Sequence, residues 1–296
     1  MSNHASLVTH IRNPEPSAWG WRAHGDYDDQ IAAFEPITAL LSHRAGISFH
    51  DYRKGTLIRR ARRRMELQGI SDFTAYARYL RANPAEIDAL FDDILIGVTA
   101  FFRDPEAWEE LRREVIWDAV VTHRRTGEPI RVWVPGCATG EEPYSVAMLL
   151  LEALDVADTS VPIQIFATDI DVKALTVARA GRYPGRLLAP LPTERVRRFF
   201  VDEGSDYFRV KDDLRRCVVF ARQNLIGDPP FSRLDVITCR NLFIYLELAV
   251  QQKVIELFHF ALREGGSLFL GAGEGIGRRS DLFEPISSKW RIYRRI

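Results

Sequence analysis

The sequence predicts an α/β fold: a doubly wound, mainly parallel sheet with a small antiparallel insertion, preceded by a small all-α domain. Three patterns carry that prediction. Residues 31–127 place apolar side chains at helical spacing, without strand-like alternation. From residue 128 onward, short β-branched and aromatic runs alternate with helical stretches, as successive strand–helix units do. At the junction, Ile130-Arg131-Val132-Trp133-Val134 runs into Pro135-Gly136-Cys137-Ala138-Thr139-Gly140-Glu141-Glu142-Pro143-Tyr144-Ser145. A strand, a glycine turn and a helix start form the opening of a nucleotide-type site.

Taken in order, residues 1–30 are polar, broken by prolines and glycines, and read as a flexible tail with Trp19 and Trp21 unexplained. In the helical domain, Asp51 is the expected cap of a helix reaching Gln68, with Gly69 as its stop. Ser71 is the expected cap of the next helix, where Phe73, Tyr76, Ala77 and Leu80 share one face. Asn83-Pro84 and Asp104-Pro105 each read as an N-cap followed by a first-turn proline, the second opening a long helix through Trp108, Leu111, Val115 and Val120.

From residue 128 to the end, strands are expected at 130–134, 163–167, 217–220, 234–238 and 266–270, closed by 290–293. Residues 181–216 interrupt the alternation with Gly181, Pro184, Gly185, Pro190 and Pro192, then Tyr207-Phe208-Arg209-Val210, and read as the inserted antiparallel piece. His259 has no paired ligand in the sequence and reads as structural.

Composition narrows the class. A length of 296 residues with 46% hydrophobic content suits two modest domains. Forty basic and forty acidic residues give a net charge of +0, which argues against a dedicated nucleic-acid binder. Cys137, Cys217 and Cys239 lack C-x-x-C spacing, which favours a reducing cytoplasm without structural zinc. No run is long and apolar enough for direct membrane insertion, and the first residues lack a signal pattern, so the expected location is cytoplasmic.

The acid pair at the helix entrance sets this turn apart. A phosphate-binding turn presents bare N–H groups and often a lysine to an anion. Glu141 and Glu142 instead suit a ligand carrying positive charge, such as S-adenosylmethionine, with its sulfonium and ammonium groups. Their other reading is complementarity to the helix dipole. Further on, Asp169 ends the second strand, where a carboxylate can accept from two vicinal ribose hydroxyls. Asp171 is the expected cap of the helix that follows.

The glycine-turn segment, Ala167-Thr168-Asp169-Ile170-Asp171 and Cys239-Arg240-Asn241-Leu242-Phe243-Ile244-Tyr245-Leu246 resemble, in wording and order, the CheR family of chemotaxis protein methyltransferases. The resemblance covers about Phe34 to the C-terminus. It implies a Rossmann-like class I methyltransferase domain over 128–296 with a β-subdomain near 181–216, after a helical domain and linker helix over 31–127. It implies S-adenosylmethionine as cofactor, S-adenosylhomocysteine as product, and glutamate side chains of chemoreceptors as substrate. It places Thr99, Arg103, Glu142, Asp169, Asn224, Leu225, Arg240 and Asn241 at the cofactor, and Tyr245 and Arg103 beside the reacting groups. Where the family shows Asn-x-Thr-x-Phe-Phe-Arg, this chain has Gly97 in place of the asparagine and keeps Thr99 and Arg103.

Arg53, Lys54, Arg59, Arg60, Arg62, Arg63 and Arg64 crowd one helix. They read as a solvated face, or as a surface for an acidic partner, either RNA or a protein helix. The resemblance favours the helical cytoplasmic region of a methyl-accepting chemotaxis receptor, bound by Arg59, Arg60 and Arg63. Some family members tether to a pentapeptide at the receptor's C-terminus. Here Val201-Asp202-Glu203-Gly204-Ser205-Asp206-Tyr207 is short and acidic, so no dependence on that peptide is expected. Two other functions compete, a nucleic-acid methyltransferase and a non-catalytic cofactor-sensing module that docks on receptors. No base-flipping signature supports the first.

Overall fold

The computed structural model describes residues 25–95 and 97–296. Trp19 and Trp21 of the expected tail lie outside the described residues, while residues 25–30, assigned to that tail, open the first helix. The helical part comprises α1 (Gly25–Ala45), α2 (Lys54–Leu67), α3 (Phe73–Ala82) and α4 (Pro84–Ile94). Phe34, Ile37, Leu41, Leu57, Tyr76 and Leu90 are among its buried core. That core also holds Glu86, only 6% exposed, whose carboxylate takes Arg64 bidentately at 2.9 and 2.7 Å, Tyr76 Oη at 2.9 Å and Gln68 Nε2 at 3.0 Å. A buried carboxylate is tolerated when this many donors surround it.

The helix starts differ from expectation in instructive ways. Asp51 lies in a short 3-10 turn and caps nothing, because the chain there is bonded to a distant segment: Arg53 N–H donates to Tyr245 O at 2.8 Å. Asp72, not Ser71, caps α3, accepting from Ala75 N–H at 2.7 Å. Pro84 opens α4 and Pro105 opens α5 (Pro105–Leu111), yet neither preceding side chain caps. Asn83 Nδ2 turns back to Tyr79 O, and the Asp104 carboxylate is taken by Arg240. From α5 the chain continues through one π-type turn (Arg112–Ile116) into α6 (Trp117–Thr126).

The rest of the chain runs β1 (Ile130–Pro135), α7 (Glu141–Val156), β2 (Ile163–Asp169), α8 (Val172–Ala180), β3 (Arg182–Pro184), α9 (Thr193–Phe199), β4 (Phe200–Gly204) and β5 (Tyr207–Val210). Then come α10 (Asp212–Arg216), β6 (Val218–Arg222), β7 (Leu234–Cys239), α11 (Leu248–Ala261), β8 (Leu262–Leu270), β9 (Phe283–Ser287) and β10 (Ile292–Arg295). Among the described residues the main sheet has seven strands in the order β6-β2-β1-β7-β8-β10-β9. Strands β6, β2, β1, β7 and β8 are parallel, and β10 runs antiparallel between β8 and β9. The order reverses between β1 and β7, which opens a crevice at their carboxyl ends.

Both faces of the sheet are covered, and β7 is buried at every position, as a central parallel strand should be. Trp133 is fully buried beside Phe258 of α11, at 5.7 Å between ring centroids, and its indole N–H donates to Thr168 Oγ1 at 2.9 Å. The insertion is a three-stranded antiparallel sheet, β3-β5-β4. Three strand starts differ from expectation: β6 begins at Val218 rather than 217, β8 at Leu262 rather than 266, and the closing strand at Ile292 rather than 290. Strand β9 was not anticipated. Among the described residues no helix is long and apolar enough to cross a membrane.

Candidate functional site

The glycine turn after β1 is wound tightly enough to need its glycines. Gly136 has φ +69° and Gly140 φ +97°. A Cβ on Gly140 would stand 2.9 Å from Ala178 Cβ and 3.0 Å from Tyr183 Oη. The turn is tied to β2 by Cys137 N–H donating to Thr168 O at 3.0 Å and Ala138 N–H donating to Asp169 Oδ2 at 2.8 Å. Asp169 Oδ1 accepts from Asp171 N–H at 2.9 Å, so this acid shapes the turn as well as facing the crevice. Asp171 caps α8 through Lys173 and Ala174 N–H, as the sequence predicts.

One cavity lies over the carboxyl ends of these strands, and Thr99, Arg103, Glu142, Asp169, Asn224, Leu225, Arg240, Asn241 and Tyr245 all line it. At its base stands Glu142. Its Oε1 is buried with no hydrogen-bond partner among the described residues, while the residue as a whole keeps some accessibility by opening onto the cavity. Burial raises its pKa to about 7, against the partial pull of the Arg240 charge and of the neighbouring Thr238 hydroxyl, which does not reach hydrogen-bond geometry with Oε1. Asp169 is raised as well, chiefly by burial, with the backbone donors at Asp171 and Ala138 pulling down. Glu141 is also buried but turns away from the cavity, accepting from Thr139 Oγ1 at 2.7 Å. The acid pair therefore divides, and only Glu142 offers a free carboxylate oxygen.

Two residues expected at the cofactor are already partly committed. Arg240 lines the wall, but its Nη1 donates to Arg103 O at 2.8 Å and its Nη2 pairs with Asp104 Oδ2 at 2.7 Å. Its guanidinium also faces the rings of Phe269 and Trp108, at 4.6 and 5.5 Å from their centroids. It acts as a strut for the segment carrying Arg103. Asn224 does not offer both amide groups freely, because its Oδ1 accepts from Ile226 N–H at 3.1 Å. Its Nδ2 is the hand left for the cavity. Arg103 is exposed and spends one N–H on Val98 O at 3.0 Å.

Glu274 escaped the sequence reading. Only 6% exposed, its carboxylate accepts from Gly271, Asn241 and Phe243 N–H at 2.7, 2.9 and 2.7 Å. Those bonds fix the turn after β7 in which Asn241 adopts φ 61° and from which Tyr245 reaches the cavity. The one available signal was an acid inside Gly271-Ala272-Gly273-Glu274-Gly275, directly after a strand.

The basic run of α2 separates into two groups. Arg64 is bound to Glu86, Arg62 Nη2 donates to Gln30 Oε1 at 2.7 Å, and Arg53 Nε donates to Leu246 O at 3.1 Å. Arg59 and Arg63 are exposed, while Arg60 is half-buried with an unpartnered Nε. Burial lowers the Arg60 pKa, with Arg59 and Arg63 adding to the effect and Tyr245 opposing it. Thr56 and Leu57 of the same helix line the cavity, so Arg59, Arg60 and Arg63 continue from its rim at one-turn spacing.

S-adenosylmethionine fits these residues. The unpaired Glu142 oxygen suits its ammonium group, Asp169 stands where a ribose is held, and Leu225 and Asn224 offer an apolar face and an amide to a heterocycle. The sheet order, the reversed β10 and this cavity define an S-adenosylmethionine-dependent methyltransferase of the Rossmann-like class.

Residues 97–292 match the family described as CheR methyltransferase, SAM binding domain, and residues 32–95 match its all-alpha domain. The chain belongs to the CheR methyltransferase family. It is 35% identical to chemotaxis protein methyltransferase 2 of Vibrio cholerae over 81% of this chain and 84% of that protein. It is 34% identical to the chemotaxis protein methyltransferase of Escherichia coli over 82% of this chain and 84% of that protein. An uncharacterized 104.1 kDa protein of Rhodobacter capsulatus is 39% identical over 92% of this chain, which spans 28% of that protein's length.

Proposed function

We propose that this chain transfers a methyl group to glutamate carboxylates of methyl-accepting chemotaxis receptors, giving methyl esters. The observation that carries the reading is a single cavity joining Glu142, Asp169 and Tyr245, with Arg59, Arg60 and Arg63 continuing from its rim. S-adenosylmethionine supplies, when bound, an electrophilic methyl on a sulfonium. A glutamate nucleophile, with an ordinary pKa near 4.3, is already ionised at neutral pH, so no general base is required. The protein's task is alignment and exclusion of water.

In this reading Glu142 and Asp169 hold the cofactor's ammonium and ribose, with Thr99, Asn224, Leu225 and Asn241 around the rest. The Tyr245 phenol orients the incoming carboxylate through one hydrogen bond. Arg103 keeps N–H groups for a carboxylate, either the substrate's or the cofactor's. Arg59, Arg60 and Arg63 receive an acidic receptor helix. The receptor's C-terminal pentapeptide is not needed. Glu203 of β4 is bonded to Arg182 of β3 at 2.9 Å and Arg209 of the central β5 at 2.6 Å, so both of these arginines are already paired across the small sheet. This pairing also corrects the charge argument: Glu203 is neutralised, and Asp202 and Asp206 are left as the acids of that loop. The test is incorporation of radiolabelled methyl into receptor, into RNA, or into neither. Base-labile label in receptor, lost in Tyr245→Phe and Arg103→Ala, is expected. Label in RNA alone, or none with intact cofactor binding, would overturn the reading.

A further inference from the structure

Tyr52 belongs to the helical domain, yet it lines the cofactor cavity. Its backbone is fixed there by a short antiparallel ladder to the segment that follows the Tyr245 turn. Tyr52 bridges Leu246, Arg53 N–H donates to Tyr245 O at 2.8 Å, and Glu247 N–H donates to Asp51 O at 3.0 Å. Its ring packs against Phe49, 5.1 Å between centroids, and touches the cores of both the helical domain and the α/β domain. The ring direction is therefore set by both domains.

The hydroxyl is the part a ligand can use. Tyr52 is only partly accessible and lines the cavity, and among the described residues nothing takes or gives a hydrogen bond at its hydroxyl, which is open rather than sealed in the core. Tyr52 and Asp169 line the same cavity, and the tyrosine's pKa is raised first by burial and then by the Asp169 charge. Asp169 spends one lone pair of each oxygen on backbone N–H groups and keeps the others toward the cavity. An acceptor-only carboxylate beside a neutral hydroxyl is a suitable pair of groups for a diol, each of whose hydroxyls both donates and accepts.

We propose that Tyr52 is a cofactor-binding residue contributed by the helical domain, its hydroxyl paired with a ribose hydroxyl of S-adenosylmethionine beside Asp169. The inference rests on the reading that Asp169 faces the ribose. The helical domain then completes the cofactor site as well as carrying the basic surface.

The test uses the full chain and calorimetric titration with S-adenosylhomocysteine and with its analogue lacking both ribose hydroxyls. Tyr52→Phe keeps the ring and its packing. It should lower affinity for S-adenosylhomocysteine about three- to tenfold, the usual worth of one neutral hydrogen bond, and leave affinity for the analogue unchanged. The melting temperature of the free protein should not fall, because no protein group loses a partner. Equal affinity of Tyr52→Phe and wild type for S-adenosylhomocysteine, or an equal loss on both ligands, would overturn the assignment of Tyr52 while leaving Asp169 in place. Wild-type indifference to the missing hydroxyls would overturn the ribose reading of Asp169 and this inference together.

Discussion

Replacing Glu142 with Gln should make the free protein more stable and its cofactor affinity worse. The carboxylate has one oxygen buried without a partner, and its pKa stands at about 7 instead of 4.5. For an acid whose pKa is raised on folding, the native state holds its proton more tightly than the unfolded chain. Its contribution is neutral below about pH 4.5, and stability is lost as pH rises from there to about 7. Above pH 7 the loss is complete, about two and a half pH units' worth, or up to about 3 kcal/mol at 1.36 per unit. Glutamine keeps the size and removes the charge. Glu142→Gln should therefore be more stable than wild type at pH 8, by up to that amount, with the difference vanishing toward pH 4.5. Asp169 and Glu141 are raised too, but they are common to both proteins; Glu274 is also raised and its charge is one of those that raise Glu142, so their repulsion is relieved in the variant and adds in the same direction.

Binding should move the other way. An ammonium group recognises the ionised carboxylate, so wild-type affinity for S-adenosylhomocysteine should fall about tenfold per pH unit below about pH 7. The Glu142→Gln variant should lack this dependence and bind more weakly at pH 8 by about 1.5–3 kcal/mol, the worth of one charge-assisted hydrogen bond. Thermal melts from pH 5 to 8 give the first quantity. Calorimetry over the same range, in buffers of different ionisation enthalpy, gives the second together with the proton released on binding. A variant less stable than wild type at pH 8, or wild-type affinity that is flat from pH 6 to 8, would refute the reasoning.

Other perturbations separate the remaining parts of the molecule. Reversing the exposed Arg59 and Arg63 to Glu should abolish receptor methylation with unchanged S-adenosylhomocysteine affinity, and wild-type rates should fall with added salt; unaltered methylation would return α2 to a solvated face. Calorimetry with the free receptor pentapeptide should show no micromolar binding, and receptors with and without that tail should be methylated alike; tight binding with tail-dependent methylation would refute this. Asp235 is buried at the amino end of β7, bonded to His123 Nε2 at 2.8 Å and Arg131 N–H at 2.7 Å and paired with Arg263 at 2.6 Å. Asp235→Ala should cost about 3–5 kcal/mol in denaturant unfolding, since it strands its partners, while affinity of the folded fraction for S-adenosylhomocysteine stays unchanged.

The order of the fold was legible because strands of a parallel sheet are short continuous apolar runs, and those expected at 130, 163, 217, 234 and 266 stand out between amphipathic helices. What could not be read was set by contacts distant in sequence. Strand β9 carries Glu284 and Pro285 and is held by antiparallel pairing to β10, a partner that local propensity does not reveal. Asp51 is a good cap by type, but the chain around it is claimed by residues 245–247, nearly two hundred positions later. Asp104 is likewise drawn off by Arg240. In each case a tertiary bond replaced a local one of similar strength, and sequence-local reasoning has no way to rank the two.

The site shows the same division more sharply. Two acids that face the cavity, Glu142 in the first turn of α7 and Asp169 at the end of β2, sit where motif and position coincide. The bonds that hold those groups in place were less legible. Glu274 works through backbone N–H groups of its own loop and of the turn after β7, and Arg240 lines the cavity while also bracing Arg103 and Asp104. The arginine run shows why counting charges misleads. Arg64 serves a buried carboxylate and Arg53 a backbone carbonyl, so the outward charge rests mainly on Arg59 and Arg63. Of the seven cations in the run, the exposed Arg59 and Arg63, with half-buried Arg60, lie one turn beyond Thr56 and Leu57, which line the cavity, and these are the three the sequence reading singled out.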